Sequence, residues 1–337
     1  MTHLSTHWRL AAALLATACA IHLGKSPDKA SSAETGSAAD CPTLDEPFKV
    51  QIVVLTEHED APTGSSFHDL MDDGDPITLE SDTGVIRRVD GETLLRREVE
   101  VHLTNNFVTA GGEPVCGKEE DGEDDLCISF EVADIVFRAD ISDKTCPELL
   151  ALGDISEEEY NDLVDSETSL STAIENAVNA CADPKVRAPQ AINLYIFDNC
   201  SFDTDDVFDC VKEKNSRGRN NTLEGEPVVY APYVFLDIAR LQHTTQAPEE
   251  HEFGHAFGLN HTCDPDISTD TADSNIMQSA CHGAGSGGAR NLGFKEVDYY
   301  DISQDPCDTG CTEERDQVET IMNSAKAFVG SWCTDSP

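Results

Sequence analysis

Residues 251–261 carry the side chains whose types and spacing could do chemistry. They read His-Glu-Phe-Gly-His-Ala-Phe-Gly-Leu-Asn-His. On a helix, His251 and His255 lie one turn apart on the same face, because residues i and i+4 are neighbours there. Both imidazoles can therefore point at a single metal ion. Glu252 is offset around the helix, so its carboxylate can reach a water molecule on that ion without being a ligand itself.

A third histidine follows the predicted helix. Gly258 comes three residues after His255, and glycine tolerates the left-handed turn that can end a helix. The chain can then reverse and bring His261 back to the same ion. Three protein nitrogens with one open position is the coordination of a catalytic zinc rather than a closed structural site. A solvated helix that carries histidines by chance is the alternative, which the length of the pattern argues against.

The His-Glu-x-x-His-x-x-Gly-x-x-His pattern of residues 251–261, followed by Met277, resembles the metzincin clan of zinc endopeptidases. Met277 follows the last histidine at a distance that suits the Met-turn of that clan. Within the clan, Gly-Leu-Asn-His-Thr at residues 258–262 most resembles the pappalysin-type group. The chain departs from that group at Cys263, where an apolar residue is usual, and at residues 278–279, where Gln-Ser replaces x-Tyr.

The resemblance implies an enzyme that hydrolyses peptide bonds in protein or peptide substrates. Zn²⁺ would be bound by His251, His255 and His261, and Glu252 would be the general base. Because Ser279 stands where the tyrosine of Met-x-Tyr is usual, zinc would stabilise the oxyanion. A gluzincin-type site is disfavoured, since the third histidine already fills the place of a downstream glutamate ligand. The competing class is a non-catalytic surface or binding protein that keeps the zinc fold, and an astacin-like or reprolysin-like metzincin is the enzymatic alternative.

The resemblance also implies a fold of the α/β (α+β) class. We expect a five-stranded twisted mixed sheet with helices above it. A small, mostly irregular or helical C-terminal subdomain would follow, with the zinc cleft between the two parts. The catalytic domain would span residues 46–337, with its upper part at 46–258 and its lower part at 259–337.

Five β-like runs precede the predicted metal-binding helix. Each is rich in Val, Ile, Phe or Tyr and is bounded by Gly, Pro, Asp or Asn, as is typical of strands. Apolar spacing predicts helices over Ser166–Ala182 and from Thr312 to about Gly330. The five runs are Phe48–Leu55, Val99–Leu103, Cys127–Phe137, Ala191–Phe197 and Val228–Leu236.

The last of these runs, Val228–Leu236, directly precedes the metal-binding motif. In metzincin-like folds the strand at this place borders the cleft. We therefore expect an edge strand whose free backbone groups pair with an extended peptide substrate. An ordinary buried strand is the alternative, because short apolar runs are ambiguous.

The chain is strongly acidic, with 65 acidic against 22 basic residues and a formal net charge of −43. This charge excludes nucleic acid as a partner, because phosphate binding needs a basic surface. We interpret it as a heavily solvated surface, with several calcium sites as the alternative. Four aspartates after the motif could supply hard oxygen ligands to Ca²⁺, although loop solvation is favoured. They are Asp264, Asp266, Asp270 and Asp273.

The N-terminus is predicted to be an export signal over residues 1–18. An apolar run from Leu10 to Ile21 is too short to span a bilayer, and Ala16-Thr17-Ala18 offers a cleavage site. Lipidation of Cys19 would make the protein a cell-surface lipoprotein, and simple secretion is the alternative. Residues 19–45 would then form a tether or a short pro-segment. We expect a monomer whose one link to a membrane is this lipid anchor.

The cysteine count fits an exported protein. Of 13 cysteines, 12 remain once Cys19 is set aside, an even number that suits disulfides. Three cysteine pairs bracket loops and could staple them, although other pairings stay open: Cys116 with Cys127, Cys200 with Cys210, and Cys263 with Cys281.

His243 and His282 lie near the motif in sequence. They are predicted to be surface or supporting histidines rather than ligands, because zinc already has three.

Overall fold

The computed structural model describes much of the chain between residues 42 and 333, and everything described belongs to the single unit formed by residues 40–337. The predicted export signal, the tether up to residue 41, His243 and the four candidate calcium ligands lie outside the described residues. The described residues are 42–55, 77–80, 86–89, 91–118, 125–142, 144–153, 163, 167–197, 200–202, 208–210, 216–225, 227–237, 248–261, 275–277, 293–294, 300–301, 313–314 and 316–333.

The described part of the chain contains both strands and helices, numbered in chain order. The strands are β1 (Phe48–Val54), β2 (Ile77–Glu80), β3 (Ile86–Val89), β4 (Cys116–Lys118), β5 (Asp125–Cys127), β6 (Phe130–Phe137), β7 (Ile192–Phe197), β8 (Cys200–Phe202), β9 (Phe208–Cys210), β10 (Ser216–Arg219), β11 (Thr222–Leu223), β12 (Val229–Tyr230), β13 (Tyr233–Asp237), β14 (Tyr300–Asp301) and β15 (Glu313–Glu314). The α-helices are α1 (Gly91–Arg97), α2 (Thr104–Asn106), α3 (Pro147–Gly153), α4 (Glu167–Ala180), α5 (Pro248–Ala256) and α6 (Gln317–Trp332). A π-helical segment, Glu98–Leu103, joins α1 to α2, and a 3₁₀ turn spans Arg138–Asp140.

A five-stranded mixed sheet forms the centre of the described part, in the order β10-β13-β7-β1-β6. Strand β1 runs parallel to β6 and β7, and β13 runs parallel to β7. Strand β10 pairs antiparallel with β13 at one edge. The predicted mixed α/β class and the five-stranded mixed sheet are therefore confirmed.

Helices cover both faces of this sheet. Alternate side chains of a strand point to opposite faces, so a single strand contributes to two separate cores. On β1, Val50, Ile52 and Val54 join a core with α5, α6 and the π-helical segment. Val53 and Leu55 join a second core with α3 and α4. The motif helix α5 and the helix α4 thus lie on opposite faces of the sheet.

Of the five predicted strands, the prediction for Val99–Leu103 is wrong. The alternation of Val99 and Val101 resembles a strand, but Val101 is 46% exposed. The side chains that do pack inward are spaced by four, which is a helical period. This spacing places them along one helical face. They are Leu95, Val99, Leu103 and Phe107.

The prediction of Val228–Leu236 as an edge strand is also wrong. Strand β13, which occupies the second half of this run, is paired on both sides, by β10 and by β7. The buried strand, which was the alternative, is what the structure contains. The edge strand beside β13 is β10, whose sequence Ser-Arg-Gly-Arg contains no apolar side chain and so shows no strand pattern.

Both predicted long helices exist, with one shifted start. Helix α4 lies within the predicted range, whereas α6 begins at Gln317 rather than at Thr312. Asp316 caps α6, because its side chain accepts a hydrogen bond from the backbone N–H of Glu319 at 2.9 Å. Glu313 and Glu314, which directly follow the predicted start at Thr312, instead form β15 against β14.

Two disulfides lie in the described part. The predicted Cys116–Cys127 bridge is present, and Cys146–Cys181 links the start of α3 to the end of α4. The hairpin of β8 and β9 places residues 200 and 210 directly opposite each other, as the predicted pair requires of the backbone. Disulfides are compatible with an extracellular location. Among the described residues, no helix has the length and apolar character needed to cross a membrane.

The edge strand β10 packs directly on α5. Gly218 faces the helix so closely that a Cβ there would collide with the carbonyl oxygen of Glu252 and would lie 2.9 Å from the Cβ of His255. A glycine is required at this position because the two backbones touch. Strand β10 and the motif helix therefore fix each other's position.

We expect Gly218→Ala to lower the free energy of unfolding by about 1–3 kcal/mol, because the added methyl must push α5 away from β10. Gly330→Ala, in α6, is the matched control, since nothing lies within 4 Å of a Cβ there. That variant should be neutral or more stable by about 0.5–1 kcal/mol. Urea denaturation measures both. A Gly218→Ala protein as stable as the wild type would contradict this packing.

Candidate metal centre

Helix α5 supplies two histidines and then ends abruptly. Pro248 opens the helix, where its missing N–H costs nothing. At the other end Gly258 has φ +88°, the left-handed conformation that the sequence predicts there. The N–H of Leu259 donates to the carbonyl of Gly254 at 3.0 Å, which closes the turn. The chain then reverses toward His261.

Aromatic packing fixes the rotation of α5 about its axis. Phe253 lies edge-on to Phe130, with ring centroids 5.1 Å apart, and Phe257 lies edge-on to Phe48 at 5.5 Å. These rings occupy the face of α5 that meets the core. The remaining face carries His251 and His255, so the packing determines where the two imidazoles point.

The three imidazoles of the motif converge on one point. The Nε2 atoms of His251, His255 and His261 lie 3.1 Å from one another in all three pairs. His251 is buried, and the other two are partly buried. These three side chains can hold one metal ion, as the sequence predicts.

The outer nitrogens of two rings are held by backbone carbonyls. The Nδ1–H of His251 donates to the carbonyl of Ile276 at 2.7 Å, and the Nδ1–H of His255 donates to that of Leu259, also at 2.7 Å. A carbonyl can only accept, so each ring carries its proton on Nδ1. This tautomer leaves both Nε2 lone pairs available to a metal ion, an arrangement typical of metal-binding histidines.

The surroundings also favour the neutral form of His255 and His261. Burial, and then the neighbouring His251, lower the pKa of His255 from its ordinary 6.5 to about 3. Burial, and then His255 and His251, hold the pKa of His261 well below its ordinary value, while the nearby Glu252 acts in the opposite direction. Neutral imidazole is the form that binds metal, so His255 and His261 are ready to bind at neutral pH.

Glu252 is buried beside the trio and is not part of it. Its Oε1 accepts a hydrogen bond of 2.6 Å from the hydroxyl of Ser216, on β10. Sequence patterns did not indicate Ser216, because it lies in a strand without apolar residues. The one sequence signal for Ser216 is the alternation of small and basic residues in Ser-Arg-Gly-Arg. Such an alternation is expected of a strand whose small side chains face a helix.

Met277 lies directly against the motif helix. It is fully buried, and a Cβ on Gly254 would lie only 2.5 Å from its sulfur. Its backbone N–H donates to the side chain of Asn275 at 2.8 Å, which forms a tight turn. The same turn carries the carbonyl of Ile276 that holds His251. The predicted Met-turn residue is therefore brought under the two ligands of α5.

Several residues named from the sequence cannot be placed in this site. The candidate calcium ligands Asp264, Asp266, Asp270 and Asp273 lie outside the described residues, as do His243, His282, Cys263 and Cys281. Calcium binding and the bridge around Met277 therefore stay predictions.

Comparison with known proteins gives no match: no family model, curated protein or solved structure matches the chain. The metal-binding capacity described above follows from the distances, burial and hydrogen bonds of the site itself.

We expect His261→Ala to weaken Zn²⁺ binding more than about a hundredfold, because even the loss of a partner outside the ligand shell costs about tenfold to a hundredfold. His261 lies beyond α5, so its substitution tests whether the three imidazoles share one ion and leaves the helix unchanged. His102→Ala is the control, since His102 lies outside the trio. Competition with a chromophoric chelator measures both affinities. Unchanged affinity in His261→Ala would exclude it as a ligand.

Proposed function

We propose that the protein is an exported zinc-dependent endopeptidase of metzincin type, closest to the pappalysin-type group. The observation that carries this proposal is the convergence of three imidazole Nε2 atoms beside a buried carboxylate that is not itself a member of the trio. Such a set leaves room for a water molecule and a substrate carbonyl at the metal. The alternative of a non-catalytic zinc protein has less support, because the chain keeps both the three ligands and Glu252.

The donor set fits zinc in size. Three points 3.1 Å apart each lie about 1.8 Å from their common centre, within reach of a Zn–N bond of about 2.0–2.1 Å. Ligand atoms on a tetrahedral ion with such bonds are about 3.3 Å apart, close to the observed spacing.

The donor set also fits zinc in chemistry. Neutral imidazole suits zinc, copper, iron and nickel, while calcium and magnesium require oxygen ligands. Among the described residues, the metal-binding group contains three protein ligands and no fourth. Three ligands and an open position is the pattern of catalytic zinc sites.

When bound, zinc would lower the pKa of a water molecule to about 7 and polarise the scissile carbonyl. The Glu252 carboxylate would accept a proton from a water molecule as the water oxygen adds to the scissile carbonyl carbon. The same carboxylate would return this proton to the amine that leaves when the C–N bond breaks. The backbone carbonyls that hold the Nδ1 protons of His251 and His255 leave the Nε2 atoms of both rings to bind the metal ion.

The sheet edge supports a peptide as the substrate. In the described part, β10 ends the sheet next to α5, and the side of β10 away from β13 has no strand partner. Backbone groups on such an edge can pair with an extended peptide and lay it across the site. Strand β10 thus takes the substrate-binding role that the sequence assigned to Val228–Leu236.

Export is part of the same proposal. The Cys116–Cys127 and Cys146–Cys181 disulfides are compatible with secretion. Secretion in free form and lipid anchoring at Cys19 differ only in the fate of that cysteine. Mass spectrometry of the mature N-terminus distinguishes them.

We expect Glu252→Gln to lower kcat/KM by about 10²–10⁴-fold while Zn²⁺ stays bound, because it removes the proton acceptor and no ligand. Cleavage of a generic unfolded protein, with and without a chelator, measures the effect. Glu249→Gln, in the first turn of α5, is the matched control and should keep activity. Full activity in Glu252→Gln, or no cleavage by the zinc-loaded wild type, would contradict the proposal.

A further inference from the structure

We propose that Ser216 is a positioning residue that holds the Glu252 carboxylate in one orientation and leaves its Oε2 to carry the proton. This inference rests on the proposed function, since it assigns a supporting residue to the same general base. Ser216 lies 36 residues before Glu252 and on a different element. It would act only through Glu252, without touching the substrate or the metal.

The hydrogen bond between the two residues has the properties of a strong one. The Ser216 hydroxyl lies 2.6 Å from Oε1 of Glu252, in the range of a hydroxyl donating to an ionised carboxylate. Each of the two residues is only 6% exposed. The hydroxyl is the donor, and Oε1 is the acceptor. Its single proton is therefore committed to Oε1.

The backbone under Ser216 is held firmly against the helix. Residue 216 pairs with Leu236 of β13, and Leu236 is fully buried in the core of the α5 face. Two residues along, Gly218 contacts the backbone of Glu252 itself. Residues two apart on a strand face the same side, so Ser216 and Gly218 meet α5 together. The position of the hydroxyl is thus fixed by two elements and not by its own rotamer alone.

The hydrogen bond from Ser216 gives the two carboxylate oxygens of Glu252 different roles. Ser216 takes one acceptor site of Oε1 and fixes the plane of the carboxylate, so we assign to Oε2 the proton from the attacking water. A carboxylate without this bond can rotate about its last side-chain torsion, which is broad and nearly two-fold. Small losses of orientation at a reacting group cost large factors in rate. We therefore expect the contribution of Ser216 to appear in kcat.

Substrate binding should be insensitive to this hydroxyl. Ser216 is buried, and its side chain is directed at α5, away from the free edge that a peptide would approach. Removal of the hydroxyl leaves every backbone group of β10 in place. A change in KM is therefore not expected, which separates positioning from a loss of substrate contacts.

The kinetic experiment compares three variants of the mature chain loaded with zinc. We expect Ser216→Ala to lower kcat about tenfold to a hundredfold, with KM and bound zinc within twofold of the wild type. Ser216→Thr keeps a hydroxyl and should return kcat to within about threefold of the wild type. Ser171→Ala removes a buried hydroxyl from α4, on the other face of the sheet, and should change nothing.

A structural readout that needs no activity accompanies the kinetics. Crystal structures of the wild type and Ser216→Ala should differ in the Glu252 side chain. We expect one carboxylate orientation in the wild type and more than one, or a rotated one, in Ser216→Ala. This comparison also decides the matter if Ser216→Thr fails to fold.

The possible results separate the two proposals. An unchanged kcat in Ser216→Ala, or an unchanged carboxylate orientation in its crystal structure, would overturn the role of Ser216 and leave the endopeptidase intact. Equal losses of kcat, bound zinc and thermal stability that Ser216→Thr does not restore would also overturn it, as a purely structural effect. A wild type that binds zinc without cleaving any peptide would contradict the proposed function, while the Glu252 orientation would still be testable.

Discussion

The metal centre depends on one constraint: the imidazole nitrogens of His251, His255 and His261 point toward one another in a mostly buried region. The Nδ1 protons of His251 and His255 are engaged by the carbonyls of Ile276 and Leu259, so their Nε2 atoms can only accept. Acceptors 3.1 Å apart repel each other unless they share a cation. Protonation of His255 would remove this repulsion, but burial, and then the neighbouring His251, lower its pKa to about 3. A metal ion bound by all three rings can satisfy this arrangement.

Each neighbouring element meets one requirement of that arrangement. Core aromatic rings set the rotation of α5, and Gly258 lets the chain turn back so that a third ring reaches the other two. The turn at Ile276–Met277 both supports α5 from below and supplies a carbonyl to the first ring. Strand β10 contacts the helix through its small residues Ser216 and Gly218. The ligands are rigid because these contacts come from separate parts of the chain, as precise sites require.

The part of the site that the sequence predicted is the part with local spacing. His251, Glu252 and His255 share one helical turn or little more, so their geometry follows from the helix alone. Ser216 reaches the site only through strand pairing, which leaves no periodic mark in four polar and basic residues. The strand prediction for Val99–Leu103 was wrong for a related reason, since its two-residue alternation hid a four-residue spacing that begins earlier, at Leu95. Tertiary packing decided both cases.

The most direct test of the shared metal ion is X-ray absorption at the zinc edge on the purified mature protein. The proposed function predicts about one zinc per chain, bound to three imidazole nitrogens and one oxygen ligand at about 2.0–2.1 Å. Sulfur scattering at about 2.3 Å would show that cysteines hold the metal instead. That result, or a folded protein that takes up no zinc, would contradict the convergence of His251, His255 and His261 on one ion.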